Sequence, residues 1–212
     1  KRLAYSTISQ VSYILFGLSL LVPTGMTGAL LHVVFHAGVK CVLFLAAGIF
    51  IFRTGKTRVD EYAGIGKSMK VSLWCYTFAS LALIGIPPFS GFISKWYLAQ
   101  GALQSDTGIF RIAGPVVLLL SALLTAGYLL PVTIKGFLPG EGRMPEKGGD
   151  GDVGAEIQGC NSGAEAAAGA DAAGKPDMMS AALLVLTILT VLIGLFPEPL
   201  VQYAAEIAAA VM

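Results

Sequence analysis

Five apolar stretches dominate this sequence and leave it few folds to choose from. They run over Leu3–Val22, Gly25–Phe52, Val71–Ala102, Ile109–Phe137 and Met178–Leu195. About 20 apolar residues in a helix cross a ~30 Å hydrocarbon core. Each stretch is too long for a strand, and lipid admits only helices and closed barrels. The expected fold is therefore all-α: a polytopic membrane bundle of about five transmembrane helices. The composition agrees, with 55% hydrophobic and 13% charged residues and a mean hydropathy of +0.75. A soluble domain carries about 25% charged residues, so a disordered chain and an ordinary soluble enzyme are excluded. A net charge of +1 leaves no basic excess for nucleic acid. Cys41, Cys75 and Cys160 lie far apart with no CxxC spacing. That pattern supports neither a zinc site, an iron–sulfur cluster nor a disulfide framework. No nucleotide loop, flavin or nicotinamide fingerprint or nucleophilic triad is evident, so no cofactor or metal is expected in this chain.

The chain opens on Lys1 with no signal peptide before the first span, which reads as a piece starting inside a longer protein. Basic residues then set an orientation. Lys1 and Arg2, then Arg53, Lys56, Arg58, Lys67 and Lys70, then Lys135, Arg143, Lys147 and Lys175 fall on alternate connections. Arg111 stands by itself on the other side. The expectation is a multi-pass protein of the cell (inner) membrane, with the Lys1 side cytoplasmic and the C-terminus outside. Residues 1–137 form four helices, 178–212 the last helix and an outside tail. Between them, residues 138–177 read as an acidic, mobile cytoplasmic loop. From Pro139 to Asp177 there are eight acids against three bases and no apolar periodicity. Asp150, Asp152 and Glu156 lack the spacing of a calcium loop.

Ionisable residues inside spans are costly and mark functional candidates. Four stand out: His32, His36, Lys40 and Lys95. The first three are spaced i, i+4, i+8, on one helix face about 6 Å apart per step. Lys40 lies more than two turns from either end of its span, out of reach of an interface. Histidine titrates near neutrality and burial disfavours a charged amine, so this row has the chemistry of a proton wire. Two packed histidines with a headgroup-seeking lysine is the plainer alternative.

The third span would be about 48 Å long if continuous. Its middle reads GIPPFSG, Gly85 to Gly91, with Pro87 and Pro88 adjacent. Prolines remove backbone donors and clash with the preceding turn, so the helix should break over 85–91. The bare carbonyls and amides left near Gly85 and Gly91 then need water or side-chain partners. Broken helices beside a charge occur at ion sites in transporters, and Lys95 follows the break by one turn. The other reading ends the helix near Ile93, with Lys95, Trp96 and Tyr97 as an interfacial anchor. More weakly, Ser6, Ser9 and Gln10 could line a water path, or hydrogen-bond neighbouring helices. Pro115 and Pro131 read as kinks.

Four segments in order carry a resemblance: KRLAYSTISQVSYILFGL, LLHVVFHAGVKCVLFLAAG, VDEYAGIGKSM and LIGIPPFSGFISKWYL. Together they resemble the proton-conducting membrane transporter family. It comprises antiporter-like subunits of respiratory complex I, Mrp-type cation/proton antiporter subunits, and membrane subunits of related hydrogenases. The resemblance covers about residues 1–137, and GLFPEPL after the last span also fits. It implies a fourteen-helix fold of two inverted repeats, of which this chain resembles the second half, roughly helices ten to fourteen. The first repeat, with its own broken helix, lysine and glutamate, would lie outside this sequence. By the same resemblance Lys40 matches the central lysine, His32 and His36 the adjacent histidines, and Lys95 the lysine of the second broken helix, near the exit half-channel. Some members carry glutamate there.

The implied function is proton translocation through a Lys/His relay, in a membrane subunit of an NADH:quinone oxidoreductase-like complex. Any redox centre would belong to partner subunits. The alternatives are a subunit of an Mrp-type sodium/proton antiporter, a hydrogenase membrane subunit, or a non-conducting assembly subunit. The expected partners are other membrane subunits, the bilayer, and protons or sodium. Gly38 and Val39 before Lys40, the long acidic loop, and the lack of a long lateral helix after the fifth span depart from the family pattern.

Overall fold

The computed structural model describes residues 2–55, 59–62, 64–105, 108–138 and 178–211. Apart from Leu138, the segment read as an acidic loop lies outside them, as does Lys1. Among the described residues there are seven α-helices and no strand: α1 (Arg2–Ser19), α2 (Pro23–Thr54), α3 (Lys70–Ile84), α4 (Ser90–Gln104), α5 (Gly108–Phe137), α6 (Met178–Leu195) and α7 (Glu198–Val211). Two single 3₁₀ turns, Val59–Tyr62 and Ile65–Lys67, lie between α2 and α3.

Helix α2 is the axis of the bundle. Helices α1, α3, α4, α6 and α7 all pack on it, while a stripe of Val33, Ala37, Cys41 and Phe44 stays exposed. Pro23 opens it, where a missing N–H costs nothing. Gly55 closes it in the left-handed conformation (φ 65°), donating to Ile51 O. The main core joins Val42, Leu43, Ile49 and Phe50 of α2 to Leu73, Tyr76 and Leu83 of α3, Leu129 of α5 and Leu183 of α6. The outward faces of α5 and α6 expose Ile112, Leu119, Leu123, Val185 and Ile188, an apolar exterior suited to lipid. Against α4, α2 presents glycines. A Cβ on Gly28 would stand 2.7 Å from Leu98 N, and one on Gly101 2.5 Å from Gly25 Cα. Such close approach is how helices associate where no hydrophobic force separates protein from solvent.

The expected break is present but shorter. Helix α3 stops at Ile84, and Ser90 already begins α4, so Ser90 and Gly91 are helical and not part of the gap. The donors lost at Pro87 and Pro88 cost nothing once they precede a new helix. Pro115 and Pro131 lie inside α5 without interrupting it.

Among the described residues, three helices are long and apolar enough to cross a membrane by themselves: Pro23–Thr54, Arg111–Phe137 and Met178–Leu195. Helices α3 and α4 have 15 residues each, about 22 Å, so a crossing there takes both. The stretch expected as a tail after α6 carries helix α7, whose Leu200, Val201 and Ala204 pack against Leu31 and Phe35 of α2.

Candidate functional site

The site forms where α1, α2 and α4 meet. On α1, Ser6, Gln10, Tyr13 and Gly17 are buried, a spacing of four and three that keeps one face inward. Ser9 lies about 100° round the helix from Gln10 and is exposed. It therefore stands apart from Ser6 and Gln10, with which the sequence grouped it. Ser6 shares a hydrogen bond with the Tyr128 hydroxyl of α5.

On α2 the i, i+4, i+8 row is present. The His32 and His36 rings are nearly parallel (6°), with centroids 6.0 Å apart. His32 is buried and held at both nitrogens: Nδ1 is 2.9 Å from Ser94 Oγ of α4, and Nε2 is 3.1 Å from Gln10 Oε1 of α1. His36 is half-buried, and its Nε2 has no hydrogen-bond partner among the described residues. Lys40 is buried (6% exposed), and its Nζ donates to Leu3 O of α1 at 2.9 Å, with the Phe44 ring centroid at 5.8 Å. Among the described residues no direct hydrogen bond joins the two histidines, whose rings meet only by stacking.

Lys95 reaches back across the break. Its Nζ donates to Leu83 O at 2.9 Å and Ile84 O at 2.7 Å, two of the last carbonyls of α3, which have no partner within their own helix. The cation also sits at the negative end of α3 and lies 5.4 Å from the Tyr13 ring centroid. Tyr13 in turn meets the His32 ring edge-on at 5.4 Å. Two glycines make this possible. Gly85 takes φ 91° to end α3. A Cβ on Gly91 would fall 1.9 Å from Ala82 O, so only glycine lets α4 start against the end of α3. Lys95 thus faces the bundle while Trp96 is exposed, and the interfacial-anchor alternative does not describe it.

The structure brings His32, His36, Lys40, Lys95 and Gln10 together and adds Ser94, Tyr13 and the carbonyls of Leu83 and Ile84. Ser94 had one sequence signal, its place beside Lys95. Tyr13 had another, three residues past Gln10 on the same face. Among the described residues no three His, Cys, Asp or Glu side chains gather to hold a metal. A cavity of about 440 Å³ opens elsewhere, between α3 and α6, lined by Trp74, Phe78, Ile188 and Leu192 with Lys70 at its edge. It holds none of the residues of the site.

The family described as NADH:quinone oxidoreductase/Mrp antiporter, TM, matches residues 1–127. NADH-quinone oxidoreductase subunit N of Desulforudis audaxviator is 41% identical over 148 residues, covering 70% of this chain and 28% of the relative. A Na(+)/H(+) antiporter subunit of Bacillus subtilis is 32% identical over 146 residues, covering 69% of this chain and 29% of the relative. A chain of the Mrp complex from Dietzia sp. superposes with a TM-score of 0.74 at 26% identity, over 98% of this chain and 41% of that one. A chain of respiratory complex I from Thermus thermophilus shares the fold at a TM-score of 0.64 and 23% identity, covering 97% of this chain and 39% of that one. This chain therefore spans well under half the length of each of these relatives. With an all-helical bundle, apolar outer faces and a match over more than half its length, the chain belongs to the NADH:quinone oxidoreductase/Mrp antiporter family of antiporter-like membrane subunits.

Proposed function

We propose that the chain is part of a proton-translocating membrane subunit in an NADH:quinone oxidoreductase-like complex, resembling its second repeat. Protons pass along Lys40, His36 and His32 and leave by Lys95. The observation that carries this reading is the row itself: three titratable groups on one face of α2, His32 and Lys40 buried and His36 half-buried, with Lys95 at the helix break against the same Tyr13 ring that meets His32. Buried ionisable groups at membrane depth are expensive, and packing alone gives no reason to line up two histidines and a lysine on one face of α2. The geometry at Lys95 suits exchange. A neutral amine keeps two N–H groups, enough for Leu83 O and Ile84 O, so the third proton can leave without unfastening α3. The 41% identity to an NADH-quinone oxidoreductase subunit supports this complex as the setting.

In this reading α1 crosses despite its polar first half and α3 with α4 cross as one broken span, making five crossings with the Lys1 side cytoplasmic. Other membrane subunits of the complex cover the remaining faces. The Mrp-type reading, with sodium exchanged for protons, has a specific support in the TM-score of 0.74 to a chain of an Mrp complex.

The experiment is proton uptake by vesicles carrying the intact complex. Lys40→Ala abolishes it. Lys40→Arg largely fails too, because arginine stays charged and cannot pass its proton on. Wild-type flux in Lys40→Arg would mean that charge alone is required, and the relay would be wrong. Flux driven by a sodium gradient, and lost without sodium, would move the assignment to the antiporter.

A further inference from the structure

Gln10 is completely buried (0% exposed), yet only half of its carboxamide is used. Its Oε1 faces His32 Nε2 at 3.1 Å, while its own nitrogen has no hydrogen-bond partner among the described residues. An unpaired buried amide is costly, so its retention at the centre of the site needs a reason.

Proton counting around the His32 ring supplies one. Ser94 Oγ lies 3.2 Å from Gly91 O, to which it donates, and 2.9 Å from His32 Nδ1. With its single hydrogen on Gly91 O, Ser94 accepts from an Nδ1–H. That leaves Nε2 as the variable position. In neutral imidazole it is a lone pair, and in imidazolium it is an N–H. The observed carboxamide orientation satisfies the N–H. A half-turn about the terminal torsion, which is soft and roughly two-fold, would present the amide NH2 to the lone pair instead. The amide nitrogen has no bond to lose in that turn.

We propose that the Gln10 carboxamide is a proton-following rotor. Its oxygen accepts from His32 when Nε2 is protonated, and its NH2 donates when Nε2 is bare. Gln10 is then a positioning residue that lets a sealed ring occupy both states. The inference rests on the relay reading above. The other titratable groups turned toward His32 are Tyr13 of α1, His36 of α2 and Lys95 of α4. Helix α6 carries none, Glu198 and Glu206 of α7 are exposed, and Tyr128 of α5 is engaged with Ser6.

Two near-isosteric variants separate the roles: Gln10→Glu, whose carboxylate only accepts, and Gln10→Met, which does neither. The probe is the ¹⁵N spectrum of histidine-labelled full-length subunit in lipid, with the His32 signal assigned by its loss in His32→Asn. The second readout is proton uptake by the assembled complex. Gln10→Glu should hold His32 doubly protonated and Gln10→Met should hold it neutral, each with uptake down about tenfold, the scale of one lost buried hydrogen bond. A His32 signal unchanged in both variants, or displaced in the same direction by both, overturns the rotor. Opposite displacements with normal uptake would uphold the rotor and remove His32 from the relay, so the two ideas fail separately.

Discussion

Replacing Lys95 with methionine isolates what its amine does for the fold. The change keeps an unbranched side chain and deletes the donor. Leu83 O and Ile84 O, bonded to Nζ at 2.9 and 2.7 Å, would then lose that donor. Each buried acceptor left unpaired costs about 1–3 kcal/mol, so the pair costs about 2–6 kcal/mol. Favourable placement of the cation at the end of α3 adds up to ~2 kcal/mol. Against this stands relief of burying a charge, several kcal/mol by itself. The net expectation is a loss of about 2 kcal/mol. For a chain of this size that lowers the melting temperature by roughly 4–8 °C, read by thermal unfolding of the purified subunit in detergent. Lys95→Arg keeps donors for both carbonyls and should recover much of that loss, yet proton uptake should fail in both variants, since arginine does not release its proton. If Lys95→Met melts at the wild-type temperature, the carbonyls have other partners and the account of the break is wrong.

Gly91→Ala should be more damaging than its size suggests, because the new Cβ would lie 1.9 Å from Ala82 O; α4 must retreat from α3, and thermal unfolding should show a loss of about 1–3 kcal/mol or more. Ser94→Ala removes the partner of His32 Nδ1 while leaving the helix intact, so proton uptake should fall severalfold with a melting shift of only about 1 kcal/mol; unchanged uptake would show that Ser94 does not orient the ring. Gly28→Leu should separate α2 from α4, since its Cβ would already stand 2.7 Å from Leu98 N, and the intact complex should fail to assemble on native gels.

Much of this arrangement was legible in the chain. Continuous apolar stretches settle a helical membrane fold, because lipid satisfies no backbone group and a helix satisfies its own. The i, i+4 spacing of His32, His36 and Lys40 puts them in a row through helix geometry alone, and Pro87–Pro88 forces the break through missing donors. Gly85 and Gly91 mark where the chain must turn or approach closely, but not what they approach. The sequence could not decide whether Lys95 looks to headgroups or to the bundle. That depends on the end of α3, eleven residues earlier, folding back within reach of its amine. Nor could it separate Gln10 from Ser9, or pick Tyr13 and Ser94 from the other polar residues. A one-residue difference is 100° of rotation, and the direction of the core is set only when α2 and α4 arrive. Periodicity along one helix is a local property carried by the chain; which face is inward, and which carbonyl waits opposite a lysine, are properties of the packed helices.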